Sequence, residues 1–455
     1  MGKLFGTDGV RGIANKDLTP ELTMKIGRAG AYVVAGHLGR AAKILVGTDT
    51  RLSADMLEAA LTAGLCSVGA EVHRVGVIPS PAMAYLVRYY NMDAGVMLSA
   101  SHNPMPYNGI KFFNCDGYKL SDEVEEEIEA LLDSQKGKEA DIPRPLGEEV
   151  GRSFLCKNAL ADYLTFLRGT LGNAPKPLEG MRVTLDCSNG ACFQAAPAVF
   201  EELGAVVQLI HWKPDGTNIN RDCGSTHLET LQAFMRDKNV DLGLAFDGDG
   251  DRVLCVDDSG AVMDGDIIMA ICGLALKKKG KLKNNTIVAT VMSNMGLQFF
   301  CDKEGIKLQR TAVGDRYVVQ EMIAGDYALG GEQSGHVILH EYNTTGDGIL
   351  TGLQLLATLK ESGQKMSELR KIMETIPQVL LEARLGSQLR LDIRENKTID
   401  SAIRKIEEEL AGDGRVLVRA SGTEPLIRVM IEGRDEGLIC KWAKELVQII
   451  EKELQ

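Results

Sequence analysis

The feature that most constrains the fold is a strand–helix–strand unit that occurs three times along the chain, beginning at Lys43, Met181 and Thr286. Each copy opens with a β-branched apolar strand, passes through a turn rich in Gly, Ser, Asn or Asp into a helix-like stretch, and reaches a second apolar strand after a Gly. Because the copies lie a domain's length apart, they predict repeated domains and not a solenoid. Strands that alternate with helices predict parallel or mixed sheets covered by helices.

The chain has 455 residues, which is more than one hydrophobic core organises, since cores stop growing near roughly 250–300 residues. Three or four domains are therefore expected. From about residue 372 the pattern changes to strand, helix, strand, strand and a closing helix, which predicts a different last domain. The predicted domains are residues 1–153, 154–256, 257–371 and 372–455.

Charge and composition exclude several classes of function. The net charge of −12 and the aromatic content of 5% argue against nucleic acid as a general partner. The longest apolar run, IIMAICGLAL, is shorter than the roughly 18–20 residues that span a bilayer, and the N-terminus lacks the apolar core of a signal peptide. The 10 cysteines show no metal-like spacing and indicate reduced thiols. A cytoplasmic protein without a membrane or nucleic-acid partner is expected.

The strongest local motif is LGLAFDGDGDRVLCVD, in which an apolar strand ends in Asp247, Asp249 and Asp251. Three carboxylates separated by glycines would repel one another unless a cation lies among them, and hard oxygen ligands suit Mg²⁺. An EF-hand loop is rejected because Arg252 and Asp258 stand where Gly and Glu are required. A solvated acidic turn is the other alternative.

The motif VLVRASGTEPLIRVMIEG predicts a phosphate-binding turn between two strands. Small hydroxyl residues and a glycine expose backbone N–H groups, and the flanking guanidinium groups add charge-assisted contacts. The alternative is a hairpin with an ordinary turn. The candidate phosphate ligands are Arg419, Ser421, Gly422, Thr423 and Arg428.

Two further loops carry polar side chains, one between two apolar strands and the other in a Gly-rich stretch. In ALGGEQSGHVIL, the side chains of Glu332, Ser334 and His336 suit a hydroxyl-rich ligand, with the Glu332 carboxylate bridging two hydroxyls. At the start of the chain, FGTDGVRG places Arg11 in a predicted Gly-rich turn.

The stretch GVMLSASHNP raises the question of a serine nucleophile. Ser101 and His102 end an apolar run, and Lys111 follows nearby. The chain has no G-x-S-x-G elbow, no P-loop and no protein-kinase motif set. A serine together with metal, phosphate and hydroxyl loops therefore favours phosphoryl transfer over acyl transfer, whereas a polar turn remains the alternative.

These loops, in this order, resemble those of the α-D-phosphohexomutase superfamily over nearly the full chain. Within it, GEQSGH, PDGTNINRDCGSTH and RTAVGDRYV look like the bacterial members that act on glucosamine phosphate. One departure is Tyr107, which stands where the family often has Asp before Asn108 and Gly109. The resemblance implies three related α/β domains with mixed sheets and a smaller C-terminal α+β domain, around a central active-site cleft.

The resemblance also implies roles for residues. Ser101 would be carried as phosphoserine, primed by phosphorylation or by a hexosamine 1,6-bisphosphate, and would share Mg²⁺ with Asp247, Asp249 and Asp251. Arg252 and Lys111 would face the transferring phosphoryl group, and Arg11 and His102 would assist proton transfer. Glu332, Ser334 and His336 would bind the sugar, and Arg419, Ser421, Gly422, Thr423 and Arg428 the phosphate that does not react.

The activity implied is interconversion of glucosamine 6-phosphate and glucosamine 1-phosphate through a 1,6-bisphosphate, which feeds cell-wall precursor synthesis. Family members are often dimers, so a homodimer is one expectation. The nearest alternative is the same chemistry on mannose or glucose phosphates. A metal-dependent phosphatase and a phosphosugar sensor without activity are more distant alternatives.

Overall fold

The structure is a computed structural model that describes residues 4–6, 8–132, 142–384, 396–420 and 426–454. The chain divides into two compact units. The first contains residues 1–292 and 307–371, and the second contains residues 293–306 and 372–455.

The first sheet of unit 1 has six strands in the order β1-β5-β4-β2-β3-β6. Its strands are β1 (Val10–Ile13), β2 (Lys43–Thr48), β3 (Glu71–Val77), β4 (Ala94–Leu98), β5 (Tyr107–Asn114) and β6 (Ser153–Leu155). The helices in this part of the chain are α1 (Pro20–Leu38), α2 (Ala54–Cys66), α3 (Ser80–Tyr89) and α4 (Asp122–Leu132).

The second sheet has five strands in the order β11-β10-β9-β7-β8. Its strands are β7 (Arg182–Asp186), β8 (Val206–Ile210), β9 (Leu242–Phe246), β10 (Val253–Asp257) and β11 (Val262–Met263). The accompanying helices are α5 (Ala159–Gly169), α6 (Cys192–Glu202) and α7 (Glu229–Met235).

The third sheet has four strands in the order β13-β12-β14-β15. Its strands are β12 (Thr286–Thr290), β13 (Lys307–Thr311), β14 (Leu329–Gly331) and β15 (Val337–Leu339). The helices of unit 1 here are α8 (Gly265–Lys278), α10 (Asp315–Ala324), α11 (Gly348–Ser362) and α12 (Met366–Leu369), whereas α9 (Met295–Glu304) belongs to unit 2.

The three sheets repeat one topology. In each, the first strand of the predicted unit pairs in parallel with the second strand and, on its other side, with a third strand. The third strand then turns back into an antiparallel neighbour. The common order is β5-β4-β2-β3, β10-β9-β7-β8 and β15-β14-β12-β13, which agrees with the threefold repeat predicted from the sequence.

Local signals explain where several helices begin. Thr19 accepts a hydrogen bond from the Leu22 amide in front of α1, which has proline in its first turn, and Asp264 and Asp347 cap α8 and α11 in the same way. Such side chains satisfy amide groups that the first helical turn leaves without partners.

The core of the first sheet comes from its continuous buried strands β2 and β4 and from the helices packed on them. Leu57, Leu61 and Leu65 of α2 are fully buried, and each side chain contributes about 1.5–3 kcal/mol relative to exposure. They lie in one apolar cluster with sheet residues such as Ile44 and Val96. This packing fixes the strands whose ends carry the site.

Unit 2 contains a three-stranded antiparallel sheet in the order β16-β18-β17. Its elements are β16 (Gln378–Arg384), α13 (Lys397–Leu410), β17 (Arg415–Ala420), β18 (Leu426–Glu432) and α14 (Glu436–Leu454). This is the strand, helix, strand, strand, helix pattern expected for the last domain. The four domain boundaries themselves stay predictions.

The structure corrects one expectation and supports another. Arg11 does not lie in a turn: β1 pairs antiparallel with β5, and Arg11 stands opposite Gly109. All 10 cysteines lie in described residues and are free thiols, as expected. Within the described part of the chain, each helix is too short or too polar to cross a bilayer.

Candidate active site

Three of the predicted site loops occupy the same place in the repeated topology. Ser101 lies between β4 and β5, Asp247 between β9 and β10, and Glu332 between β14 and β15. Each loop therefore follows the third parallel strand of its sheet and leads into the antiparallel hairpin. Carboxyl ends of strands are where open α/β sheets bind ligands.

Ser101 faces the acidic loop of the second sheet. Its side chain is buried, and its Oγ donates a hydrogen bond of 2.5 Å to Oδ2 of Asp247. The Nδ1 atom of His102 lies 3.4 Å from the same Oγ. The backbone of Ser101 is left-handed, with φ 51°, which costs free energy for any residue with a Cβ.

The three aspartates of the acidic loop converge. Asp247, Asp249 and Asp251 are all buried and each offers a carboxylate oxygen within 4.8 Å of the others. Among the described residues, Oδ1 of Asp249 and Oδ1 of Asp251 are buried without a hydrogen-bond partner. Buried oxygens of this kind, close together and unpaired, fit a hard divalent cation such as Mg²⁺.

The charge state of Asp247 reflects the same crowding. Burial, and then the neighbouring carboxylates Asp251 and Asp249, raise the pKa of Asp247 well above its ordinary value. A cation among these carboxylates would reverse that effect, because it favours the charged form.

Lys111 supplies the positive charge nearest the aspartates. Its Nζ lies 2.8 Å from Asp249, 3.0 Å from Asp8 and 3.7 Å from Asp251. Burial alone would lower the pKa of Lys111, but these three carboxylates raise it above its ordinary value. Lys111 is therefore a permanent cation inside the site.

Asp8 is a site residue that the sequence interpretation missed. It accepts hydrogen bonds from Arg11 and Lys119 in addition to its contact with Lys111. Lys119 also lies 2.5 Å from Asp315 at the start of α10. The motif FGTDGVRG offered a signal for Asp8, three residues before Arg11, whereas no local pattern marked Lys119.

Arg11, His102 and Arg252 surround the serine and the aspartates. Nη1 of Arg11 donates to Oδ1 of Asn103 over 3.1 Å, and the amide of Arg252 donates to Oδ1 of Asp247 over 3.1 Å. Burial, followed by the charges of Arg252 and Arg11, lowers the pKa of His102 to about 4.

The loop between β14 and β15 differs from the other two in the burial of its predicted site residues. Glu332 is half-buried, Ser334 is exposed and His336 is buried. The amide of Gly346 donates to Nε2 of His336 over 3.0 Å, and Nδ1 of His336 lies 3.7 Å from Asp251. Glu332 and Ser334 are thus accessible to a ligand, whereas His336 lies behind the acidic loop.

The candidate phosphate ligands lie in unit 2. Arg419 of β17 and Arg428 of β18 stand opposite each other in the antiparallel pair. Burial and the neighbouring Arg428 both lower the pKa of Arg419. Ser421, Gly422 and Thr423 lie outside the described residues.

Comparison with known proteins identifies four domains along the chain. Residues 2–139, 161–260 and 264–376 match "Phosphoglucomutase/phosphomannomutase, alpha/beta/alpha" domains I, II and III, in that order. Residues 359–449 match the C-terminal domain of the same family.

Curated relatives match end to end. Proteins named phosphoglucosamine mutase from Ruminiclostridium cellulolyticum and Acetivibrio thermocellus are 55% and 56% identical to this chain over 454 residues, covering 100% of both chains in each case. Among solved structures, a phosphoglucomutase/phosphomannomutase family protein from Burkholderia thailandensis has a TM-score of 0.79 at 22% identity, covering 99% of this chain and 97% of its own.

A second solved structure has the same fold. The N-acetylphosphoglucosamine mutase of Aspergillus fumigatus, in complex with GlcNAc-6P and magnesium, gives a TM-score of 0.73 at 16% identity. It covers 99% of this chain, and the alignment takes in 96% of that structure. At this level of identity the likeness establishes the architecture alone.

Proposed function

We propose a function on the premise that this chain belongs to the phosphoglucomutase/phosphomannomutase family, as its four domain matches and full-length relatives show. It is an enzyme, an isomerase that moves a phosphoryl group. The proposed reaction is the interconversion of glucosamine 6-phosphate and glucosamine 1-phosphate, and it is supported by full-length relatives that are named phosphoglucosamine mutase.

The observation that carries the proposal is the contact between Ser101 and the acidic loop. A buried serine hydroxyl donates to one carboxylate of a triad whose other members retain unpaired buried oxygens among the described residues. A phosphoryl group on Oγ of Ser101 would stand directly beside the residues suited to a divalent cation. An ordinary polar turn has no such arrangement.

The transfer begins with phosphorylated Ser101. The bond between phosphorus and Oγ breaks as O1 of glucosamine 6-phosphate bonds to phosphorus, and the O1 proton leaves to a base. The product is glucosamine 1,6-bisphosphate. After this intermediate reorients, Oγ of Ser101 gives the proton that it took up on leaving phosphorus to a base and bonds to the 6-phosphoryl phosphorus. The bond between that phosphorus and O6 breaks and O6 takes up a proton, which restores phosphoserine and releases glucosamine 1-phosphate.

The chain's own charges prepare the site for this transfer. Lys111 is a fixed buried cation, and Nε of the half-buried Arg252 lies 3.8 Å from Oδ1 of Asp251. Positive charges held in place before the reaction stabilise charge that develops on the transferring group. The candidates for proton transfer are His102, the neighbour of Ser101 in its loop, and Arg11, which donates to Asn103 of the same loop.

Asp247, Asp249 and Asp251, together with Ser101, are the residues that would hold Mg²⁺. When bound, the ion would neutralise charge on the phosphoryl group. The accessible side chains of Glu332 and Ser334, with His336 supporting their loop, bind the sugar hydroxyls. For the phosphate that does not react, the proposed ligands are those predicted from the sequence: Arg419, Ser421, Gly422, Thr423 and Arg428.

The covalent step is tested by intact mass and peptide mapping before and after incubation with glucose 1,6-bisphosphate. We expect the protein to gain one phosphoryl group on the peptide containing Ser101. Ser101→Ala should abolish both this gain and mutase turnover, because among the described residues the hydroxyl that donates to Asp247 is that of Ser101. Ser153→Ala, on an exposed strand, is the control and should keep both. Full turnover in Ser101→Ala would disprove the covalent mechanism.

The sugar is tested separately by comparing kcat/KM for glucosamine, glucose and mannose phosphates. The highest value for glucosamine phosphate supports the proposal, and net release of inorganic phosphate would favour a phosphatase. The enzyme is expected to act in the cytoplasm, and a homodimer stays a prediction that light scattering decides.

A further inference from the structure

The backbone of Ser101 is held in a conformation that it would not adopt alone. Its φ of 51° lies in the left-handed region, where Cβ crowds the following carbonyl. In this conformation of the loop, Oγ of Ser101 donates to Asp247. Something must therefore hold the Ser101 carbonyl in its present direction.

Arg51, at the end of β2, is the first group that does so. Its Nη2 donates to the carbonyl oxygens of Ser101 over 2.9 Å and of Asn103 over 2.8 Å. Its Nη1 donates to Pro104 and Tyr107 over 2.6 and 3.0 Å. One buried guanidinium group thus fixes three carbonyls of the loop between β4 and β5 and the carbonyl of Tyr107, the first residue of β5.

The position of Arg51 is itself fixed. Its Nε lies 2.9 Å from Oδ2 of Asp49, and both side chains are 0% exposed. The same Asp49 oxygen accepts from the hydroxyl of Ser99 over 2.6 Å, and Ser99 in turn accepts from the amide of Ser101 over 3.0 Å. The loop is therefore held at its amide and at its carbonyls.

Asn220 holds the same carbonyls from the second sheet's domain. Its Nδ2 donates to the carbonyl oxygen of Ser101 over 2.8 Å and to that of Asn103 over 3.0 Å. Its own amide donates to the carbonyl of Ser188 over 2.9 Å. The segment that carries Asn220 is anchored by Asp186, whose carboxylate accepts from His211 and from the amide of Gly224.

Gly248 of the acidic loop completes the enclosure. A Cβ on Gly248 would lie 2.5 Å from the carbonyl oxygen of Ser101 and 2.8 Å from Nδ2 of Asn220. Glycine is required here for close approach. The Ser101 carbonyl is therefore enclosed by Arg51, Asn220 and the backbone of the acidic loop.

We propose that Arg51 and Asn220 are positioning residues that hold Ser101 in its left-handed conformation, with Oγ directed at Asp247. This inference rests on the proposed role of Ser101 as phosphoryl carrier. Two donors on one carbonyl offset the backbone strain, and because Asn220 belongs to the same domain as the acidic loop, it also sets the distance between carrier and carboxylates.

The test is Asn220→Asp, which keeps the shape of the side chain but places a carboxylate oxygen against two carbonyl oxygens. The measurement is the rate at which Ser101 gains a phosphoryl group from glucose 1,6-bisphosphate, followed by rapid quench and intact mass. We expect the rate and kcat to fall about tenfold to a hundredfold, as for misplaced reacting groups, with KM nearly unchanged. If Asn220 served stability alone, the substitution would lower Tm but would not lower kcat at a nearly unchanged KM.

The matched control is Asn218→Asp, two residues earlier in the same segment. Its side chain donates to the carbonyl of Lys213 and accepts from the amide of Asp215, both within the segment. It introduces the same charge without touching the Ser101 loop. We expect its phosphorylation rate and kcat to stay within about twofold of the wild-type values, since substitutions away from such networks have small effects.

The outcomes separate the two proposals. If the wild-type protein gains no phosphoryl group at Ser101, the proposed function fails. The positioning inference is overturned if the wild type is phosphorylated and Asn220→Asp is phosphorylated equally fast. It is also overturned if Asn220→Asp has a raised KM and an unchanged kcat. If Asn220→Asp does not fold, Asn220→Ala, which removes the donors without repulsion, should show a smaller loss in the same direction, and a wild-type rate in that variant overturns the inference.

Discussion

Lys111 is the residue on which the balance of buried charge at the site depends. It lies within 3.0 Å of Asp249 and Asp8, and its side chain is 2% exposed. A buried ion pair contributes little by itself, but removing one partner leaves the other charge uncompensated. Removing Lys111 would therefore leave the carboxylates of Asp249 and Asp8 buried without their partner and destabilise the folded protein.

We predict that Lys111→Met lowers the free energy of unfolding of the metal-free protein by about 3–5 kcal/mol, the usual effect of breaking a buried pair. Urea denaturation measures this. Lys283→Met, which breaks the exposed pair with Asp326, is the control and should cost at most about 1 kcal/mol. Equal effects of the two substitutions would contradict the prediction.

The sequence predicted the three aspartates of the site but not Asp8, Arg51 or Asn220, and the reason is physical. The three aspartates stand at alternate positions of one loop, so their convergence is a local property that a motif reveals. Asp8, Arg51 and Asn220 reach the site from distant parts of the chain, and only the sheet order brings them there. Arg11 was placed in a turn because its pairing with Gly109 is equally long-range.

At the scale of elements, helix α11 begins at a buried carboxylate. Asp347 accepts from the amide of Leu350, the hydroxyl of Tyr163 and the side chain of Asn343. Burial raises the pKa of Asp347 to about 6, although these hydrogen bonds oppose the change. A raised pKa in the folded state means that the folded protein holds this proton more tightly than the unfolded chain.

The sign of the effect on stability follows. The contribution of Asp347 is fully present below pH 3.8, its ordinary value, and is lost as pH rises through about 6. Asp347→Asn removes this loss, so we predict that the stability of the variant relative to the wild type rises by about 2 kcal/mol between pH 4 and pH 7. Chemical denaturation at several pH values measures it, with Asp326→Asn as the exposed control. A pH-independent difference would refute the assignment.

The elements themselves were largely predictable, since strand–helix–strand units have strong local periodicity. The three predicted copies correspond to β2-α2-β3, β7-α6-β8 and β12-α9-β13. What local patterns did not supply was the strand order, because pairing between β4 and β5 or between β1 and β5 depends on residues far apart in the chain.

On the scale of the whole molecule, unit 1 is linked across its domains by charge. Lys119, beside Asp8 in the first domain, lies 2.5 Å from Asp315 at the start of α10. The Ser101–Asp247 contact links the first and second sheets in the same way. Binding a cation at the acidic loop therefore acts on the stability of the whole unit.

We predict that Mg²⁺ raises the Tm of the wild type, and that a concentration of 100 times Kd stabilises it by about 2.7 kcal/mol. In Asp247→Asn the shift should largely disappear. The metal-free variant should be no less stable, because the raised pKa of Asp247 shows that burial already favours the neutral form. Asp237→Asn, on the surface, should keep the wild-type shift, whereas an unaltered shift in Asp247→Asn would remove the metal assignment.

The shared hairpin position of Ser101, Asp247 and Glu332 has a consequence for how such a protein changes through evolution. One duplicated scaffold carries three separate tasks at equivalent turns, so each turn is free to diverge while its supporting strands stay fixed. Substitutions in the first two turns are restricted by the contact between Ser101 and Asp247, and in the third turn His336 is restricted by its contact with Asp251. Under the proposed function, the accessible residues Glu332 and Ser334 of the third turn are the positions at which selection for a different sugar would change the fewest contacts.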